Sequence, residues 1–158
     1  MPTSTSVRAA IAEHIRTYFT EGNAQGYLSV FDPSNVKEGY AGVDHGLSPV
    51  LSDYPRLFII MEDSDYVAGV SRKMDKKQLL TFVCHFQVAA QEDTAQSTEE
   101  LEAQVNSFVS DIERMVITNP TLGSCTQITL RNQEDDLGNS PTVASVVMQA
   151  EAQFSLRY

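Results

Sequence analysis

The chain has 158 residues, 42% of them apolar and 20% charged, which is typical of one globular domain and excludes a disordered chain. Eleven Lys and Arg against 21 Asp and Glu give a net charge of −10, which disfavours tight DNA or RNA binding because that requires a basic surface. The apolar runs are too short to span a membrane, and the N-terminus lacks the pattern of a cleaved signal. Two cysteines form neither a disulfide framework nor a zinc spacing, so we expect a reducing cytoplasm.

The first predicted element is a helix over residues 6–20, in which apolar side chains recur at the spacing of one helix face. These side chains are Val7, Ile11, Ile15 and Tyr18. Residues 22–55 contain five of the eight glycines of the chain. They predict a long surface loop with one short strand near residues 27–31.

The middle of the chain is predicted to be extended. The continuous apolar run over residues 57–61 predicts a central strand buried on both faces, and residues 66–71 predict a weaker strand. A charged turn is predicted over residues 71–77. Residues 79–90 then alternate between apolar and polar side chains, which is typical of a half-buried strand antiparallel to the preceding one.

The second helix is predicted over residues 97–118, with Ser97 and Glu100 as a capping box at its start. Its apolar side chains recur at the spacing of one helix face: Leu101, Val105, Phe108, Ile112 and Met115. Alternation predicts two further strands, over residues 125–131 and 143–158, and we expect them to pair as a hairpin.

Together these elements predict a single α+β domain over residues 1–158. We expect a mixed or mostly antiparallel sheet of about five strands, with the two main helices packed on one face.

Two charged clusters are candidates for contacts with other proteins. The basic one lies in the predicted turn and comprises Arg72, Lys73, Lys76 and Lys77; the acidic one lies in a predicted loop and comprises Glu134, Asp135 and Asp136. Solvated turns explain both clusters. The alternative for the basic cluster is a docking contact on an acidic neighbour, such as a second copy of this chain.

The residues that could carry out chemistry do not form a motif. The histidines His14, His45 and His85 lack metal-ligand spacing, and no base is identifiable for either cysteine, Cys84 or Cys125. We therefore expect no catalytic residue, no cofactor and no metal. For His85 we expect a structural or interface role, and for Cys84 a place in the core.

Five segments, taken in their order along the chain, indicate a resemblance to a known family. They are the helix with Val7-Arg8-Ala9-Ala10-Ile11, the strand entry Tyr54-Pro55-Arg56-Leu57-Phe58-Ile59-Ile60, the alternating residues 80–88, the turn Asn119-Pro120-Thr121-Leu122-Gly123, and the final residues 144–158. In this order the chain resembles the tail terminator (tail completion) proteins of long-tailed bacteriophages. The resemblance covers nearly the whole chain, except for a 22–53 loop that is long for the family.

The resemblance implies a structural virion protein, located in the tail or neck and assembled in the host cytoplasm. Six copies would form a homohexameric ring that caps the tail tube and stops its polymerisation. The partners would be other copies, the tail tube protein, the head-tail connector or neck protein, and the sheath protein if the tail is contractile. DNA would be transient cargo in a central channel, whose acidic wall would not hold a polyanion.

The resemblance implies a contact role for each of the two charged clusters. The basic cluster would lie at the contact with a neighbouring subunit or the tube, and the acidic cluster at the channel lumen or another interface. A head-side neck or stopper protein is a close alternative. A small cytosolic enzyme using Asp44, His45, His85 or Cys125 and a non-viral acidic adaptor module are more distant ones.

Overall fold

The computed structural model describes residues 3–21, 31–39, 54–67, 73–89, 92, 94–122, 127–136 and 140–157. Two α-helices and five strands account for most of these residues. In chain order the elements are α1 (Ser4–Thr20), a 3₁₀ turn (Pro33–Asn35), β1 (Val36–Glu38), β2 (Arg56–Val67), β3 (Lys73–Gln87), α2 (Thr94–Thr118), β4 (Gln127–Asp135) and β5 (Val143–Arg157).

The five strands form one mixed sheet in the order β1-β2-β3-β5-β4. β1 runs parallel to β2, and the other neighbouring strands are antiparallel. The β3–β5 pairing extends from Lys73 opposite Arg157 to Gln87 opposite Val143. The predicted α+β fold is confirmed, as are the final hairpin and the central position of the 57–61 run.

Both helices pack on one face of the sheet, and the main core lies between the two layers. Strand alternation supplies the sheet half of this core, since side chains two residues apart point to the same face. In β3 these side chains are Leu80, Phe82, Cys84 and Phe86; in α2 the apolar stripe consists of Leu101, Val105, Phe108, Ile112 and Met115. All of them are buried, as both periodicities predicted.

Aromatic rings join the two helices to the sheet. The Phe108 ring of α2 lies 5.8 Å from that of Phe19, 6.3 Å from that of Phe31 and 5.9 Å from that of Phe86, measured between centroids. All four rings are fully buried. Phe108 is therefore the centre of a cluster that includes α1, the chain before β1, and β3.

The predicted turn over residues 71–77 is wrong where the structure describes it, because residues 73–77 belong to β3. Asp75, Lys76 and Lys77 each face a β2 residue on one side, and β5 pairs with the whole segment on the other. Pairing on both sides keeps this charged segment extended. The two strands predicted at 57–61 and 66–71 are one strand, β2, with a register shift between Met61 and Ser64; residues 68–71 lie outside the described ranges.

Two further boundaries differ from prediction. Helix α2 begins at Thr94, so Ser97 lies inside the helix and is buried rather than capping it. Ala95 and Gln96 are good helix formers, which explains the extra turn. Strand β4 continues to Asp135, so Glu134 and Asp135 are not in a loop.

The short strand predicted near residues 27–31 is not seen at Phe31, the one residue of that range within the described part of the chain. The strand is instead β1, which follows the 3₁₀ turn. Asp32 caps this turn by accepting a hydrogen bond from the Ser34 backbone nitrogen at 2.9 Å. The parallel pairing of β1 with β2 involves residues 21 apart in sequence, such as Val36 and Leu57, so local alternation could not reveal it.

The start of α1 and the end of β5 lie at the same end of the sheet. Lys76 donates a hydrogen bond from Nζ to the Ser4 Oγ at 3.1 Å, and Lys73, three residues earlier, is opposite Arg157. We call the last rows of this end, formed by residues 65–67, 73–77 and 153–157, the hairpin end. Neither described helix is long and apolar enough to cross a membrane.

Truncation of Phe108 should destabilise the domain strongly. Phe108→Ala is expected to lower the free energy of unfolding by about 3–5 kcal/mol, since it removes a fully buried ring and leaves a cavity between both layers. Urea unfolding followed by circular dichroism measures the loss. The control is Glu102→Ala, on the exposed side of the same helix, with an expected change within about 0.5 kcal/mol. Equal effects of both changes would contradict the position of Phe108 in the core.

Candidate interaction surface

The sheet face opposite the helices, called here the second face, has a small apolar centre. Phe58, Ile60 and Val83 are buried there, and Val147 packs against them. The register explains the cluster, because Val83 lies opposite both Phe58 and Val147. The continuous apolar run over residues 57–61 therefore supplies side chains to both faces, as its composition predicted.

Polar side chains on the second face are joined between strands around this centre. Thr81 donates a hydrogen bond from Oγ1 to the Glu62 Oε2 at 2.7 Å, linking β3 to β2. Glu151 of β5 receives two cations: the Arg131 guanidinium at 2.7 Å and the Lys77 ammonium at 3.9 Å. These contacts place Glu151 between two cations and connect β2, β3, β5 and β4 across the face.

His85 belongs to this face and lies at the edge of its apolar centre. Its Nδ1 is 2.8 Å from the Ser145 Oγ, and its ring is edge-on to that of Phe58 at 5.7 Å. Burial lowers the pKa of His85, the positive charge of Arg56 adds to the shift, and the Asp136 carboxylate opposes it. The imidazole is therefore held in its neutral form, packed and hydrogen-bonded, in agreement with a structural role.

The predicted basic cluster does not form one patch. Lys76 points to the helix side and is only 5% exposed; its Nζ bonds to Ser4 and lies 5.2 Å from the centroid of the Tyr66 ring. Lys77 is on the second face beside Glu151. Lys73 is placed by its backbone opposite Arg157, and Arg72 lies outside the described residues. Strand alternation has divided a cluster that a turn would have kept together.

The predicted acidic cluster lies at the other end of the sheet. Glu134 and Asp135 are exposed in the last two positions of the edge strand β4, opposite Val147 and Val146. Asp136 follows the strand and is half-buried, and its Oδ1 accepts a hydrogen bond from the Ser145 backbone nitrogen. Glu134 and Asp135 are thus exposed to solvent, whereas the hydrogen bond of Asp136 links the end of β4 to β5.

Two exposed apolar side chains were missed by the sequence analysis. Tyr66 is 61% exposed and Met74 is 44% exposed, both on the helix side of the hairpin end. Tyr66 lies opposite Lys76, two residues from Met74, so the two apolar residues are diagonal neighbours on one sheet face. The alternation of β3, extended back from Leu80 through Gln78 and Lys76, would have placed Met74 on this face.

Within the described residues, the other candidate groups do not come together in one reactive site. The Cys84 thiol is fully buried, and burial raises its pKa well above the ordinary value, so it stays protonated in the core. A cleft of about 310 Å³ between α1 and β2 contains the Arg8 guanidinium, which donates to the Met61 carbonyl oxygen at 3.1 Å. No group of three or more His, Cys, Asp and Glu that could hold a metal occurs among the described residues. Asp44, His45 and Cys125 lie outside that part.

Lys76 should contribute to stability, not only to surface charge. Lys76→Ala removes a buried aliphatic stem and the cation above Tyr66, so we expect a loss of about 1–2 kcal/mol in the free energy of unfolding. Lys77→Ala removes a half-exposed ion pair, for which a change within about 0.5 kcal/mol is expected. Urea unfolding of both variants tests the comparison. A larger loss for Lys77→Ala would contradict the assigned burial.

The pH dependence of stability should report on His85. Because the folded state lowers the pKa of His85 below 6.5, the unfolded chain binds the proton more tightly. Stability should therefore fall as the pH decreases from about 8 to about 5.5, and His85→Gln should reduce this fall. Urea unfolding at both pH values measures it, and the value near pH 8 shows whether the variant remains folded. An unchanged fall in the variant would contradict the assigned environment.

Comparison with known proteins supplies no further constraint on this surface. No protein-family model matches the chain, and no curated protein matches it. The interpretation of the surface depends on the geometry of the sheet and on the order of the sequence segments.

Proposed function

We propose that the chain is a ring-forming tail terminator of a long-tailed bacteriophage, which caps the finished tail tube and offers a docking surface to the head-side connector. The proposal begins from the order of segments described above. Its main structural support is one observation: both helices lie on a single face of a long sheet. In the described part of the chain, the second face and the outer edge of β4 are free to meet other proteins.

The composition of the second face suits a protein contact or a channel wall. It has a small apolar centre and a border of polar side chains, in which Glu151 lies between Arg131 and Lys77. Protein interfaces also combine a less charged centre with a polar rim. Because the hydrogen bonds and ion pairs already hold these side chains in place, binding a partner would cost little side-chain conformational entropy.

The charge of the chain suits passage of DNA without capture. A net charge of −10 gives a mainly negative field, which repels a polyanion and prevents the counterion release that drives DNA binding. In the proposed role DNA passes through the ring once and must not adhere to it. No step of this role makes or breaks a covalent bond, and it requires neither cofactor nor metal.

The experiment is to measure the oligomeric state and the attachment to tubes. Purified protein at increasing concentration is examined by light scattering and negative-stain electron microscopy, alone and with tail tubes assembled from the tube protein of the same virus. We expect rings of about six times the 17.5 kDa mass of the chain, located at tube ends, and shorter tubes when the chain is present during polymerisation.

Each outcome separates this proposal from its alternatives. Rings that do not attach to tubes but bind the head-side connector would favour a neck or stopper protein. A chain that stays monomeric, with and without tubes, and leaves tube length unchanged would contradict the proposal. An adaptor module or an enzyme would then be the better interpretation.

A further inference from the structure

The two edge strands of the sheet are the places where a further strand could be added. The order β1-β2-β3-β5-β4 puts β1 and β4 at the edges. The outward backbone N–H and C=O groups of an edge strand form a row that can pair with another chain. Because β4 has nine residues and β1 has three, β4 presents the longer row. The partners of its outward N–H groups therefore determine whether this sheet can be extended.

Near its end, β4 directs two N–H groups away from the sheet. The Asp136 N–H, just after the strand, donates to the Ser145 carbonyl oxygen of β5 at 3.2 Å. Because N–H groups alternate in direction along a strand, those of Asp135 and Gln133 point away from β5. The Gln133 N–H donates to the Asn132 Oδ1 at 2.8 Å. The Asn132 side chain thus occupies a position at which an incoming strand would accept a hydrogen bond.

Near its start, β4 is covered by the turn that follows α2. The Ile128 N–H donates to the Pro120 carbonyl oxygen at 2.8 Å. Since Pro120 lies outside the sheet, this N–H points away from β5, and by alternation so does that of Leu130. The turn is held by the fully buried Leu122, whose N–H donates to the Asn119 carbonyl oxygen at 3.0 Å. A second outward N–H group of β4 is therefore satisfied within the chain.

A β-bulge also interrupts the spacing of the outward groups. Leu130 is opposite Ala150 and Asn132 is opposite Gln149, so Arg131 is one extra residue in β4. The bulge puts a step of three residues into a row that in a regular strand has steps of two. The outward N–H groups consequently belong to residues 128, 130, 133 and 135. A regular incoming strand does not match this series, and two of its four donors already have acceptors.

At the opposite edge, a side chain of α1 satisfies an outward carbonyl group in the same manner. Just after β1, the Gly39 N–H donates to the Ile59 carbonyl oxygen of β2 at 2.9 Å. Two residues further along β2, the Met61 carbonyl oxygen faces the same edge. It accepts a hydrogen bond from the Arg8 guanidinium at 3.1 Å. Arg8 thus supplies the donor that a longer β1 would have supplied from its backbone.

We infer that the outer edge of β4 is closed to strand addition, so that a protein which meets this edge does so through side chains. Three features close it: the turn after α2, the Asn132 side chain and the bulge at Arg131. A covering loop and a bulge are means by which sheet edges are protected from pairing. The inference goes beyond the proposed function and does not depend on it. In a ring, it means that each copy keeps its own sheet, without backbone pairing across the edge of β4.

Hydrogen exchange of the unmodified protein, followed by NMR spectroscopy, tests the four outward amides. Those of Ile128 and Gln133 are bonded within the chain and should exchange at least tenfold more slowly than those of Leu130 and Asp135. Asn132→Ala should accelerate exchange at Gln133 at least tenfold and leave Ile128 unchanged. Equal rates at all four amides, or no response of Gln133 to the substitution, would show that the edge is open.

A variant with an opened edge tests the consequence. Deletion of Arg131 together with Asn132→Val removes the extra residue and the side-chain acceptor, which restores steps of two along the edge. We expect its self-association constant in light scattering to rise at least tenfold, with slower exchange of the Leu130 amide in the associated form. Arg131→Val is the matched control. It loses the same cation and gains the same apolar residue but keeps the bulge and Asn132, so it should associate like the unmodified chain.

The outcomes separate this inference from the ring proposal. If the opened variant is folded by circular dichroism and associates no more than the control, the inference is wrong. If it does not fold, the exchange rates of the unmodified protein decide. If the unmodified chain forms rings in which the Leu130 and Asp135 amides become protected at least tenfold, the edge accepts a strand, and the inference fails while the ring function stands. If the unmodified chain never associates, the proposed function fails, and the inference is still decided by the exchange rates.

Discussion

The pairing of β3 with β5 determines most of what this molecule presents to its surroundings. The two strands run antiparallel along their whole lengths, from the Lys73–Arg157 row to the Gln87–Val143 row. A slip of one residue would move every side chain of a strand to the opposite face. The register therefore sends Phe82 to the helices and Val83 to the second face, and it also determines which charges meet at each end.

Periodic patterns made much of this fold predictable. Helical spacing identified the stripe around Phe108, and alternation identified the last two strands, because both patterns are local consequences of burying one side of an element. The positions that failed depend on distant partners. Asp75 in the supposed turn accepts a hydrogen bond from Ser155, 80 residues away in the sequence, and no window around Asp75 contains that information.

The candidate surface was predictable in composition but not in arrangement. The sequence showed that basic and acidic residues cluster, and it suggested an acidic neighbour for the basic ones. It did not show that Lys76 and Lys77 point to opposite faces, since that follows only once their segment is a strand. Tyr66 was assigned to a weak strand and Met74 to a turn, so their proximity appears only with the β2–β3 register.

The start of α1 and the end of β5 lie at the same end of the sheet, which has a practical consequence for work with this protein. Ser4 is bonded to Lys76, and Arg157 is opposite Lys73, so the first helix starts and the last strand finishes beside Tyr66 and Met74. An affinity tag or a fluorescent protein inserted just before α1 or just after β5 would emerge next to the same surface. Fusion at either of these positions would thus crowd the hairpin end. A small dye attached at Asn106, on the exposed side of α2, would leave both ends of the sheet unobstructed.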